Sequence, residues 1–156
     1  MIWEKWWRLA NCLRGACART RTFQWMTVCL AGMTVRMDLL GVTSIVRALG
    51  LMPACYDRIL DFLHSPALDL EKLTGLWRAL VLRQPGILRF NGRPVLVGDG
   101  IKVAKSGRKM PAVKKLHQAS ESNTKPDWIF GHSCQAVAVL MRAAASVFAV
   151  PLACRI

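Results

Sequence analysis

The chain has 156 residues and a mass of 17.4 kDa, which suits one ordinary domain or a small domain with part of a second. Its hydrophobic content of 53% is enough for a packed core and argues against a disordered chain. Its 22 Lys and Arg against 9 Asp and Glu give a net charge of +13, which indicates an anionic partner. Nucleic acid is the favoured partner, and an anionic membrane surface is the main alternative.

Apolar residues recur at intervals of three and four through the first half of the chain, as in amphipathic helices. The helices predicted from this spacing cover residues 3–13, 23–40, 42–49, 53–63 and 69–81. Gly50 suits the left-handed end of the third helix, Pro53 the first turn of the fourth, and Asp69 the N-cap of the fifth. We therefore expect a helical N-terminal region over residues 1–86.

The two predicted helices around Gly50, over residues 42–63, have the layout of a helix-turn-helix. In DNA-binding versions of this motif the second helix enters the major groove. Its outward residues would include Asp57, Arg58 and Asp61, whose charges are mixed. The same spacing also fits two packed helices of any helical domain, so both interpretations stay open.

The 6 cysteines show neither a Cys-x-x-Cys pair nor a paired Cys/His spacing, which argues against a zinc site built on sulfur. Glu4, Lys5 and Arg8 interrupt the apolar stretch that a secretory signal requires. We therefore expect a cytoplasmic protein whose thiols stay reduced.

The periodicity changes after Pro85. Short apolar runs at 87–90, 95–99, 128–141 and 146–152, separated by turn residues, predict strands. Residues 133–154 carry only one charge and are long enough to cross a bilayer, but two strands joined by a turn explain their pattern better. We expect no membrane partner, and an antiparallel meander in which Asp99 lies at or just past the end of the first strand.

A strand that delivers Asp99 beside a basic run has the elements of metal-dependent phosphodiester chemistry. Three motifs then follow in order: Gly98-Asp99-Gly100, KSGRKMPAVKKLHQ at 105–118, and KPDWIFGH at 125–132. Together they resemble the start of the catalytic domain of bacterial insertion-sequence transposases of the DDE type, which have an RNase-H-like fold. The helical region resembles the one that precedes this domain in the family, but less specifically.

The resemblance implies an α+β protein in which the helical region precedes the first three antiparallel strands of an incomplete RNase-H-like domain, over residues 87–156. It implies that Asp99 is the first catalytic carboxylate and a ligand of Mg²⁺ or Mn²⁺. The parent activity is then metal-dependent cleavage and transfer of DNA strands at insertion-sequence ends. From the residues alone, a turn residue between two glycines would also explain Asp99.

The family's site has two further carboxylates, an Asp on the fourth strand and a Glu on a later helix. After Asp99 the sequence has only Glu121 and Asp127, and neither occupies these positions. Because two-metal cleavage uses several carboxylates, we expect an inactive N-terminal fragment that binds no metal ion stably and no small-molecule substrate. Its first strand would keep an unpaired edge, which predicts self-association.

The basic run predicts contacts with the phosphate backbone of double-stranded DNA. The nominated side chains are Lys102, Lys105, Arg108, Lys109, Lys114 and Lys115. A solvated loop is the alternative interpretation of these charges. Two alternatives to a transposase remain: a non-enzymatic helix-turn-helix regulator that binds DNA, and an inert remnant.

Overall fold

A computed structural model describes residues 2–38, 41–105, 107, 111–117 and 126–156. Contacts between residues divide the chain into two compact units, Met1–Leu80 and Val81–Ile156. The helices are α1 (Ile2–Cys12), α2 (Thr20–Val35), α3 (Gly41–Ala48), α4 (Cys55–Leu63) and α5 (Leu70–Leu82), with a 3₁₀ turn at Arg14–Ala16. The strands are β1 (Arg89–Phe90), β2 (Arg93–Pro94), β3 (Leu96–Ala104), β4 (Lys114–His117), β5 (Trp128–Ala143) and β6 (Ser146–Arg155). Helices followed by antiparallel strands confirm the predicted α+β class.

Two predicted helix ends are formed by local hydrogen bonds. Gly50 has a φ of +60° and donates its N–H to the carbonyl of Arg47 at 3.1 Å, while Leu51 donates to Val46 at 2.9 Å. This pair of bonds is the Schellman ending of a helix. At the start of α5, the carboxylate of Asp69 accepts the N–H of Lys72 at 2.9 Å, as an N-cap does.

Helices α2, α3 and α4 share the apolar core of the helical unit. The core consists of Leu13, Phe23, Met26, Cys29, Ile45, Ile59 and Phe62. A methyl group added at Gly32 on α2 would overlap the side chain of Ile45 on α3. The two helices therefore approach each other more closely than a larger residue at this position would allow.

The sheet of the second unit is built around β5. On one side β5 pairs with β3, from Leu96 opposite Val139 to Ala104 opposite Gly131, and on the other side it pairs with β6. Because Gly131 also pairs with Lys114, the short strand β4 lies on the β6 side of β5. Strands β3, β5 and β6 form the predicted antiparallel meander.

Residues 133–154 form most of β5 and β6, as predicted, instead of a single long helix. In the parts of the chain that the structure describes, none of the helices combines the length and the apolar character needed to cross a membrane.

The position of Asp99 differs from the prediction. Asp99 lies in the middle of β3, opposite Ala136, and the strand continues to Ala104. The flanking Gly98 and Gly100 suggested a turn, but neither has a positive φ, and pairing with β5 keeps both extended. The interpretation of Asp99 as a turn residue is therefore wrong.

Among the described residues, strand β3 pairs with another strand on one side only. Leu140 donates its N–H to Val95 at 3.0 Å, and Lys105 donates to Phe130 at 2.9 Å, so the odd-numbered residues make the ladder bonds to β5. The even-numbered residues of β3 direct their N–H and C=O groups to the opposite side. Among the described residues no strand pairs there.

The side chains of β3 are also exposed, since all nine of its residues are open to solvent. The odd-numbered ones lie with Ala136 on what we call the Asp99 face of the sheet, the even-numbered ones with Val139 on the Val139 face. Val139 is fully buried against Val81 and its neighbours, but the cover does not reach β3. β3 is thus an apolar edge strand, the arrangement that invites pairing with another chain.

We expect Gly98→Lys to weaken self-association of the chain about tenfold or more, because a lysine on an edge strand opposes pairing with a second copy of the chain that carries the same charge. A methyl group at Gly98 meets only the carbonyl oxygen of Ala136, at 3.9 Å, so the side chain fits the monomer. Gly75→Lys is the matched control, since a methyl group there has no neighbour within 4 Å. Sedimentation velocity over a concentration series measures the effect. Equal association of both variants would place the contact elsewhere.

Candidate nucleic-acid interface

Asp99 is an exposed carboxylate in apolar surroundings. Its Oδ1 accepts the N–H of Gly100 at 2.7 Å, and on the Asp99 face it lies between Val97 and Ile101. Asp127 lies just before β5, nine residues before Ala136, and Glu121 is outside the described residues. Among the described residues, no three His, Cys, Asp or Glu side chains are grouped so that they could hold a metal ion. The residues around Asp99 therefore do not fit a two-metal centre.

The predicted cations that the structure describes gather at one end of the sheet. Lys102 and Lys105 come from the end of β3, and Lys114 and Lys115 from β4, on opposite sides of Gly131. Arg108 and Lys109 lie outside the described residues. The pairing of three strands thus brings together lysines that are up to 13 positions apart in the sequence. We call these four residues the lysine cluster. Lys105 and Lys115 lie on the Asp99 face and Lys102 and Lys114 on the Val139 face, so this end of the sheet carries positive charge on both faces, which suits phosphate.

Lys102 has an additional structural contact. Its Nζ donates to the backbone carbonyl of His117 at 2.6 Å and so links the end of β3 to β4. An ammonium group has three N–H donors, so two remain for an anion. Lys102 can therefore position the lysine cluster as well as contribute charge to it.

Sequence reasoning missed the aromatic residues of this region. Trp128 and Phe130 on β5 are 53% and 38% exposed, and both project from the Asp99 face. The Lys115 ammonium lies 4.9 Å from the centre of the Trp128 ring, and the His117 ring meets that ring edge-on at 5.0 Å. The alternation Trp-Ile-Phe was the available signal. Such an alternation is typical of a nucleic-acid surface only when cations lie beside the rings, and here the adjacent cation comes from β4.

Two residues of the WIFGH segment have a structural reason for their identity. A side chain at Gly131 would overlap the carbonyl oxygen of Val103 and lie 3.1 Å from Cα of Ala104, so only glycine fits between β3 and β4. His132 donates from Nε2 to the carbonyl of Pro111 at 2.9 Å and fastens the chain before β4 to β5. Both residues therefore hold the lysine-bearing strands in place.

Two thiols lie on the Asp99 face near this cluster. Partial burial raises the pKa of the Cys134 thiol, and so do the charge of Cys154 and the hydrogen bond that the Cys134 thiol donates to it, whereas the charge of Lys105 lowers this pKa. A raised pKa keeps the thiol protonated at neutral pH and a poor nucleophile. The arrangement therefore does not favour thiolate chemistry here.

The helical unit has a cationic recess of its own. This recess of about 270 Å³ is lined by Arg19 and Arg21 at the start of α2 and by Arg58 on α4, with Asp61 as a counter-charge. Arg19 is the N-cap residue of α2 and makes no side-chain capping bond. The unsatisfied N–H groups of the first turn add to the positive potential. The recess can therefore accept an anion.

No family model, curated protein or solved structure matches the chain.

Proposed function

We propose that the chain is the N-terminal part of an insertion-sequence transposase of the DDE type and that it binds DNA through the phosphate backbone. The observation that carries this proposal is the lysine cluster formed by β3 and β4 at one end of the strand that holds Asp99. The motif order from Gly98 to His132 adds the family assignment.

The strand arrangement supports an RNase-H-like sheet. In that fold the first strand is central, with the second strand on one side and the fourth on the other. Here β3 carries Asp99 and, in the described part of the chain, pairs with β5 on one side only, while β6 follows on the far side of β5. The unpaired side of β3 is where the fourth strand of such a domain would lie. The second and third carboxylates would come from sequence beyond these 156 residues.

Charge supports the DNA partner. From residue 81 onward the chain has 12 Lys and Arg against 3 Asp and Glu, so the second unit carries most of the net charge of +13. Lysines that contact phosphates release condensed counterions, which makes binding strongly dependent on salt. The proposed contact is therefore independent of DNA sequence and sensitive to ionic strength.

We expect the chain to bind duplex DNA with log K falling against log salt at a slope of about −4 to −5, if roughly five cations contact phosphates. Alanine at Lys105, Arg108, Lys109, Lys114 and Lys115 should flatten that slope. Fluorescence anisotropy with a labelled duplex over a salt series measures it.

The matched control removes five exposed cations from the helical unit instead. These are Lys5, Arg8, Arg47, Lys72 and Arg78. Its slope should stay close to that of the unchanged chain, because an equal charge is lost from the other unit while the lysine cluster stays intact. If the control flattens the slope and the cluster variant does not, the contact lies on the helices and the proposal fails.

The second candidate function is a non-enzymatic helix-turn-helix regulator. The observation that favours it is the recess lined by Arg19, Arg21 and Arg58, because Arg58 lies on the second helix of the motif. A regulator would lose DNA binding on Arg58→Gln and keep it when the lysine cluster is neutralised. The proposed transposase fragment would show the reverse.

A further inference from the structure

The aromatic residues beside the lysine cluster form a small platform on the Asp99 face. We define it by Trp128, Phe130, Lys105, Lys115 and His117. Trp128 and Phe130 are two residues apart on β5, so their rings project to the same side, about 7 Å apart along the strand. Neither ring is buried by the protein core: 53% of Trp128 and 38% of Phe130 is open to solvent.

Strand pairing places a cation on each side of the aromatic row. Phe130 is opposite Lys115 on β4, and its carbonyl accepts the N–H of Lys105 on the other side at 2.9 Å. Lysines therefore flank an aromatic ring from two different strands. This alternation of ring and cation across a sheet is how proteins hold single-stranded nucleic acid, with stacked bases and neutralised phosphates.

The contacts around Trp128 also fix its ring. Lys115 lies over the ring at 4.9 Å and His117 meets it at an interplanar angle of 67°. One cation covers only one of the two faces of a ring, and more than half of the side chain stays in contact with solvent. A ring that is already oriented loses little conformational freedom when a planar partner stacks on it.

We propose that this platform binds unpaired nucleotides, with bases stacked on Trp128 and Phe130 and adjacent phosphates held by Lys105 and Lys115. The inference rests on the proposed DNA binding and adds the state of the DNA that the site prefers. Duplex DNA can use the lysines but not the rings, because its bases are stacked on one another. The ligand is single-stranded DNA, or a DNA end with unpaired bases, without strong sequence preference.

The test compares a labelled oligothymidylate with a duplex of equal length by fluorescence anisotropy, with the full chain at nanomolar concentration. Trp128→Ala should weaken single-strand binding about tenfold and change duplex binding by less than about twofold, since stacking contributes only to the unpaired ligand. Trp128→Phe should keep most of the single-strand affinity. Trp3→Ala is the matched control, because Trp3 is 62% exposed in the helical unit, and both affinities should be unchanged.

Intrinsic fluorescence provides a second readout at the ring itself. Oligothymidylate should quench part of the tryptophan emission of the unchanged chain, and this part should be missing in Trp128→Phe, which preserves the fold. Unchanged single-strand affinity in Trp128→Ala, or equal weakening for both ligands, would overturn the inference. That result would leave the salt dependence through the lysine cluster intact, so the proposed function would be judged separately.

Discussion

The 156-residue chain should produce no nicked product from DNA that carries insertion-sequence ends, with either Mg²⁺ or Mn²⁺ present. Two-metal cleavage of a DNA strand, as proposed for the complete enzyme, needs carboxylates that hold two ions about 4 Å apart across the scissile phosphate. Asp99 has apolar neighbours on its face of the sheet, and among the described residues no group of three His, Cys, Asp or Glu side chains could hold a metal ion. One ligand cannot fix such a pair of ions.

The chain should gain metal-dependent nicking activity when it is extended at its C-terminus by a segment that contains a strand ending in Asp and a later helix carrying a Glu. In that longer chain, Asp99→Asn should lower the nicking rate about a thousandfold or more. The carboxylate would contribute several kcal/mol to binding and positioning the metal ion, and the amide would not. Conversion of a supercoiled plasmid to the open circle measures the rate.

Asp127→Asn is the control for this experiment. It makes the same change of charge just before the start of β5, nine residues from the partner of Asp99, and should leave the nicking rate unchanged. Metal-dependent cleavage by the 156-residue chain alone would show that the argument from three carboxylates is wrong. If the Asp99→Asn variant of the longer chain kept full activity, Asp99 would not be one of the catalytic carboxylates.

Gly131→Ala should lower the free energy of unfolding by about 2–3 kcal/mol, because the methyl group would overlap the backbone of β3 and the strands cannot separate without losing ladder bonds. Gly100→Ala is the control on the neighbouring strand. A methyl group there has no neighbour within 4 Å, and the backbone is not left-handed. That variant should be neutral or slightly more stable, since alanine restricts the unfolded chain.

Urea unfolding followed by circular dichroism compares the two variants. The Gly131 variant should also lose part of the salt dependence of DNA binding, because β3 and β4 carry the lysines on either side of this residue. If the Gly131→Ala variant were as stable as the Gly100→Ala variant, β3 and β5 could move apart at little cost in free energy.

The ends of the helices could be predicted because they depend on neighbours in the sequence. Gly50 and Asp69 bond to residues three or four positions away, so the local pattern contains all the information needed. Strand β4 could not be found in this way. Its four residues include one apolar side chain, and it is a strand only because it pairs with residues 128–131. Pairing of this kind overrides local propensity.

The candidate site shows the same division. Composition was sufficient to nominate the lysines, but their grouping around Gly131 comes from the register of β3, β4 and β5. The local glycines placed Asp99 at a strand end, whereas pairing with β5 places it in the middle of β3. Trp128 was missed because the cation beside it belongs to a strand that the sequence does not reveal. The RNase-H-like assignment and the role of Asp99 stay predictions.

The unpaired side of β3 also specifies the kind of synthetic peptide that would fit it. The outward backbone groups belong to even-numbered residues, so an added strand would form its hydrogen bonds there and nowhere else. Gly98 and Gly100 leave two gaps on the Val139 face, which large aromatic side chains of the peptide could fill. On the same face, Leu96 would instead require a small side chain of the peptide, and Lys102 would require an acidic one. A peptide with that pattern would cap the edge and keep the protein monomeric.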